Sequence, residues 1–120
     1  MQKFNFMYDS DNDDLFLYSS KSKSRGSVEF GNIIFDFNSR KQLVGIQLMG
    51  ASKILGDMIK EKSVDNMKLF LETLKDCRVN IKDNSNMLIV KFLLVGKSQE
   101  IEPVLSVPKI DESSPSLAYA

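Results

Sequence analysis

Apolar and polar residues alternate along most of this chain. Phe4, Phe6 and Tyr8 fall on one side of the first segment while Lys3 and Asn5 fall on the other, the period of a half-buried strand. The run from Asp9 to Asp14 consists of turn formers whose side chains bond their own backbone, and Leu15-Phe16-Leu17-Tyr18 then resumes an extended pattern, so the two runs predict a hairpin. After a polar stretch from Ser19 to Arg25 come Val28-Glu29-Phe30 and Ile33-Ile34-Phe35-Asp36-Phe37, the latter with Ile33, Phe35 and Phe37 on a common face. Asn38-Ser39-Arg40-Lys41 turns the chain, and Val44, Ile46 and Leu48 alternate with Gly45 and Gln47 in the returning strand. The first half reads as an antiparallel meander.

At Gly50-Ala51-Ser52 the period changes. Ser52 is the expected N-cap of a short helix with Ile54, Leu55, Met58 and Ile59 on one side, weakened by Gly56. Ser63 caps a second helix, whose Met67, Phe70, Leu71 and Leu74 recur at the spacing of a buried stripe. Lys68 and Glu72 lie one turn apart on its wetter side, a pair contributing about 0.3 kcal/mol. Arg78 to Lys82 and Met87 to Val95 then read as a hairpin around residues 83–86. Glu100 to Val107 reads as a further strand, which Pro103 confines to a sheet edge because proline cannot donate to the ladder. The fold class expected is α+β: an antiparallel β-meander, one short and one longer amphipathic helix packed on the sheet, then a C-terminal β-hairpin and edge strand. Residues 1–109 make one domain, with the meander and short helix in 1–62 and the remainder in 63–109. Residues 110–120, rich in Asp, Glu, Ser and Pro, make a flexible tail in which Leu117 and Tyr119 are the groups able to dock.

Two features go beyond the order of elements. Shifted by 46 residues, Asn38-Ser39 falls on Asn84-Ser85, Val44 on Val90, Leu48 on Leu94 and Gly50 on Gly96, which indicates two similar hairpins. The second differs from the first, because Leu88, Val90, Phe92 and Leu94 occupy one face of its last strand while Met87, Ile89, Leu93 and Val95 occupy the other. Helices can shield one face. The other needs a curled sheet or a second subunit, and the expectation drawn is a homodimer.

The chain has 120 residues, long enough to bury roughly 65% of the surface its unfolded form exposes. Sixteen basic residues balance 16 acidic ones, whereas nucleic-acid binders carry a clear basic excess because affinity comes from phosphate neutralisation, so no nucleic-acid partner is expected. The basic clusters at Lys21, Lys23 and Arg25 and at Arg40 and Lys41 fall in turns, as solvated charges. Cys77 is the only cysteine and reads as a small buried hydrophobe; no leader stands ahead of Lys3, and a cytoplasmic location is expected. The most apolar run, Met87 to Val95, falls far short of the roughly 20 residues of a membrane-crossing helix, so no membrane partner is expected.

Candidate chemistry is sparse. The sequence has no histidine, the usual base, metal ligand and nucleophile activator, so no catalytic residue is assigned and no cofactor is expected. Asp9, Asp11 and Asp13 reproduce the first three alternating ligands of a calcium loop and are the metal candidates. The rest of that pattern fails, with Asp14 where the loop needs glycine and Ser20 where it needs a bidentate glutamate; the alternative is a hairpin turn whose carboxylates sit in water. Asp36 is the one acid embedded in an apolar strand, where burial would raise its pKa, although alternation places it outward. The glycines have neither dinucleotide nor P-loop spacing.

Tyr8-Asp9, Asp14-Leu15-Phe16-Leu17-Tyr18, Ile33-Ile34-Phe35-Asp36-Phe37 and Leu43-Val44-Gly45-Ile46-Gln47-Leu48, followed by an Ala51-Ser52 hinge, resemble the pattern of a family of small prokaryotic proteins of unknown function. The likeness covers residues 4–55. Gln47 stands where that pattern usually has Glu, which removes force from any role for a carboxylate there. The resemblance implies a meander followed by a helix, in short proteins better suited to contacting other proteins than to chemistry, and brings no catalytic residue with it. Two readings follow. One is a non-catalytic, homodimeric protein-interaction or regulatory module, such as an antitoxin-like subunit with a host protein partner. The alternative is a small-ligand or metal-binding protein, or a weakly equipped enzyme, with a sheet–helix pocket whose polar contacts are Asp36, Tyr18 or Lys91.

Overall fold

The computed structural model describes residues 1–20, 23–84 and 86–108. The expected tail 110–120, with Leu117 and Tyr119, lies outside the described residues, as does Lys21 of the first basic cluster. The elements in chain order are β1 (Gln2–Asp9), β2 (Asp14–Tyr18), β3 (Gly26–Phe30), β4 (Ile33–Phe37), β5 (Leu43–Met49), α1 (Ala51–Ile59), α2 (Val64–Glu72), β6 (Asp76–Asn84), β7 (Met87–Val95), β8 (Glu100–Ile101) and β9 (Val104–Pro108). This is the α+β arrangement that the alternation predicts, with each expected strand present.

All strands join one antiparallel sheet in the order β3-β4-β5-β2-β1-β6-β7-β8, and β9 also pairs with β7. β5 returns to pair with β2 as well as β4, which leaves β3 at one edge of the row. β1 is the seam between the halves: Asn5 to Asp9 pair with β2, while Gln2 to Phe4 pair with β6. Eight strands side by side at about 4.8 Å span about 34 Å. The molecule measures 43 × 29 × 26 Å, as an open row of that width requires.

One face of this sheet carries the core. Phe4, Leu17, Ile46, Leu48, Cys77, Phe92 and Leu94 are at most 2% exposed and belong to one buried cluster shared by both halves and both helices. Pro103 splits the last predicted strand into β8 and β9, both on the edge beside β7, and its carbonyl accepts from the Phe92 N–H at 2.9 Å. Edge placement follows from the missing donor.

The helices differ from expectation at their ends. The N-cap of α1 is Gly50, at φ 73°, rather than Ser52. Glycine takes this left-handed conformation without the steric cost a side chain would meet. Ser63 caps α2 as predicted, its oxygen accepting from the Asn66 N–H. Both helices run nine residues. The apolar stripe of α2 reaches Leu74, but the helix stops at Glu72, where Thr73 turns its hydroxyl back to the carbonyls of Leu69 and Phe70. α2 sits so close to the end of β7 that a Cβ on Gly96 would lie 2.7 Å from the Phe70 ring.

Candidate functional site

The acidic turn between β1 and β2 does not gather its carboxylates on one point. Asp9 turns inward on its own loop, accepting from the N–H groups of Asp11 and Asn12 and from Asn12 Nδ2 at 2.8 Å. These bonds, the Asn12 side chain foremost, hold the Asp9 carboxyl below the usual carboxylate range. Asp13, at φ 55°, points the other way. Its carboxylate accepts from Ser52 Oγ at 2.6 Å, from the Ser52 N–H and from Tyr8 Oη at 2.6 Å, while its carbonyl accepts from the Ala51 N–H. The N-terminus of α1, which lacks a side-chain cap of its own, is thus capped from 39 residues away. Asp11 remains exposed on the turn. No group of three or more His, Cys, Asp or Glu side chains among the described residues could hold a metal ion.

Tyr8 is expected as a strand residue and Ser52 as a helix cap, and nothing local announces the link of either to Asp13. Partial burial and the bond to Asp13 push the Tyr8 hydroxyl well above its ordinary pKa of 10.0. Cys77 is fully buried, and burial foremost, aided by the Asp76 charge, pushes its thiol up to about 12, so it is protonated and unreactive at neutral pH.

On the face of the sheet away from the core, outward residues line up in rows. Met7, Phe16, Gln47 and Ile34 form one; Asn5, Tyr18, Gly45, Asp36 and Ser27 form the next. Met7, Phe16, Tyr18, Asp36, Gly45 and Gln47 line an open concavity of about 330 Å³. Gly45 makes it possible, since a Cβ there would lie 3.0 Å from Asp36 Oδ2. Asp36 is half-buried and accepts from Ser27 Oγ at 2.5 Å. Two of the three predicted ligand contacts, Tyr18 and Asp36, therefore meet, but on the outer face and not between sheet and helix. Lys91 stands apart, exposed on β7 opposite Asn80 and Val104.

β7 shows the two-faced pattern directly. Val90, Phe92 and Leu94 are buried and Leu88 partly so, while Ile89, Leu93 and Val95 are half-buried and Met87 is 39% exposed on the outer side. Neither helix is long and apolar enough to cross a membrane among the described residues.

A small α+β protein built on one antiparallel sheet, with a helical pair packed on the face that carries the core, is the class these features define. The chain belongs to a family of proteins of unknown function: residues 5–52 match the model described as "Protein of unknown function (DUF2283)", and an uncharacterised protein of Methanocaldococcus jannaschii is 30% identical over 95 residues, covering 78% of this chain and 76% of that protein. A protein of Methanosarcina mazei named "Putative hypoxanthine phosphoribosyltransferase" is 29% identical over 95 residues, covering 79% of this chain and 72% of its own length. No solved structure matches the chain.

Proposed function

We propose that this protein is a non-catalytic protein-interaction or regulatory module that acts as a homodimer. One observation carries the reading: the apolar column Met87, Ile89, Leu93 and Val95 on the outer side of β7, opposite the core-facing Val90, Phe92 and Leu94, with Met87 39% exposed and the other three half-buried. An apolar strip of this kind on a soluble surface marks a contact site, because bringing it out of contact with water is favourable at about 25 cal/mol per Å². Sedimentation velocity between micromolar and hundred-micromolar protein tests it. A dimer supports the reading, and a monomer at every concentration overturns it.

The second reading, a small-ligand protein, is favoured by the concavity that Tyr18 and Asp36 share, whose volume of about 330 Å³ falls at the lower end of ligand-sized pockets. The name borne by the Methanosarcina relative supplies one candidate chemistry. Thermal melting across a panel that includes purine bases and phosphoribosyl diphosphate separates the two readings. The module shows no shift and forms no nucleotide from the pair; a shift of several degrees that is lost in Asp36→Asn establishes the ligand site instead.

A further inference from the structure

The outward positions of the two halves of the sheet carry opposite charge. On β1 to β5 the charged outward side chains beside Met7, Phe16, Tyr18 and Ile34 are Asp9, Asp14, Glu29 and Asp36, apart from Lys3 at the start of β1, which pairs with Arg78 and belongs to the other half. On β6 to β9 the apolar column of β7 is flanked by Arg78 and Lys82 and interrupted by Lys91. With Lys3 this makes four cations against Asp76 and Glu100, and Asp76 is already bound to Arg78 at 3.0 Å. Arg25 precedes β3 at the rim of the acidic half. A net charge of zero therefore conceals one acidic, aromatic patch and one basic, aliphatic patch on the same face.

We propose that the dimer forms by reciprocal docking of these patches, the acidic outer face of β1 to β5 in one copy seated on the basic outer face of β6 to β9 in the other. The inference rests on the homodimer reading and gives it a surface. Because β1 pairs with β2 through its second part and with β6 through its first, the patches are offset along the strands and lie at opposite ends of a diagonal. A two-fold axis in the plane between the copies, crossing that diagonal, places each patch on its complement twice, and such an interface closes at two subunits instead of propagating. The strands of the two sheets then cross steeply, one of the two known ways in which sheets pack. The concavity around Asp36 provides room for a long side chain, and Lys91 projects from the middle of the opposing apolar column. Eight strands at about 4.8 Å, each about five residues long at about 3.3 Å, present roughly 600 Å² of projected face, and side-chain relief raises the accessible area towards the roughly 800 Å² per partner of a stable complex.

The test uses Lys91→Glu, Asp36→Lys and Glu29→Lys in the full chain, with thermal melts to establish that each is folded; Lys91 and Glu29 are exposed, so these two substitutions leave the core untouched. In sedimentation equilibrium the wild-type dimer is expected to weaken as salt rises. Each variant is expected to dissociate at about tenfold or more higher concentration than wild type, since like charges then oppose each other twice. An equimolar mixture of Lys91→Glu with Asp36→Lys or Glu29→Lys is expected to regain the dimer, as opposite charges again face each other. A wild-type dimer whose variants associate unchanged, or whose mixture shows no recovery, overturns the docking geometry and leaves the homodimer standing. A wild-type monomer throughout overturns both.

Discussion

The half of the sheet from β1 to β5 and the half from β6 to β9 are specified by different forces. In the first, short polar bonds set the corners. Asp9 organises its own turn, and Asn38 Oδ1 accepts from the N–H groups of Arg40 and Gln42, both at 2.9 Å. The outward positions there include Asn5, Asp9, Asp14, Glu29, Asp36 and Gln47, so a slip of one residue would turn polar groups towards the core and expose core side chains. In the second, β7 is apolar on both faces, and alternation alone penalises a slip much less. Its register is held instead by a ladder of nine residue pairs with β6, by Pro103 at the edge and by the close fit of Gly96 under Phe70. Polar turn chemistry thus specifies a strand locally, while a strand greasy on both sides depends on its neighbours and leaves surface that can serve association.

The comparison can be broken most forcefully at Leu48 in β5 and Leu94 in β7, both 0% exposed. Leu48→Ala and Leu94→Ala are each expected to cost about 2–5 kcal/mol in urea denaturation, with a single shared transition, because one buried cluster spans both halves. Two separate transitions would show that the halves fold independently. A smaller loss, about 1–3 kcal/mol, is expected for Asp13→Ala, which strands the buried Ser52 hydroxyl and removes the cap of α1. In a double-mutant cycle with Ser52→Ala the two losses should not add, and additivity would mean that the bond contributes nothing.

The smallest effect is a pH dependence confined to the first half. The folded state raises the Tyr8 pKa above its ordinary value, so the stability this contributes is complete below pH 10.0 and declines as the pH climbs above it, where the unfolded chain loses the proton first. Melting temperature measured from pH 9 to 11 should fall more steeply for wild type than for Tyr8→Phe. Parallel curves would remove Tyr8 from the account.

Local pattern revealed what local forces make. The hairpin at Asp9 to Asp14, the Ser63 cap and the edge position imposed by Pro103 are each legible within a few residues of sequence. The two-faced character of β7 is equally plain from its run of apolar residues. What escaped a linear reading involves partners far apart along the chain. Asp13 looked like a turn carboxylate or a calcium ligand because its acceptors and donors were judged against its neighbours, whereas its main partner is Ser52. Tyr18 and Asp36 do lie on one face, but it is the outer face and not a pocket beside the helices, since alternation says that two residues share a face without saying which face the helices cover.

By itself the sequence determined the periods, the turns, the Ser63 start of α2 and the neutral charge total, because these depend on side-chain volume, backbone preference and hydrogen bonds closed within a few residues. Only the tertiary structure decided that β5 pairs with β2, that one carboxylate caps a distant helix and that the charges separate into two patches. Those outcomes depend on which strands become neighbours, a choice made by the packing of the whole core and not by any segment within it.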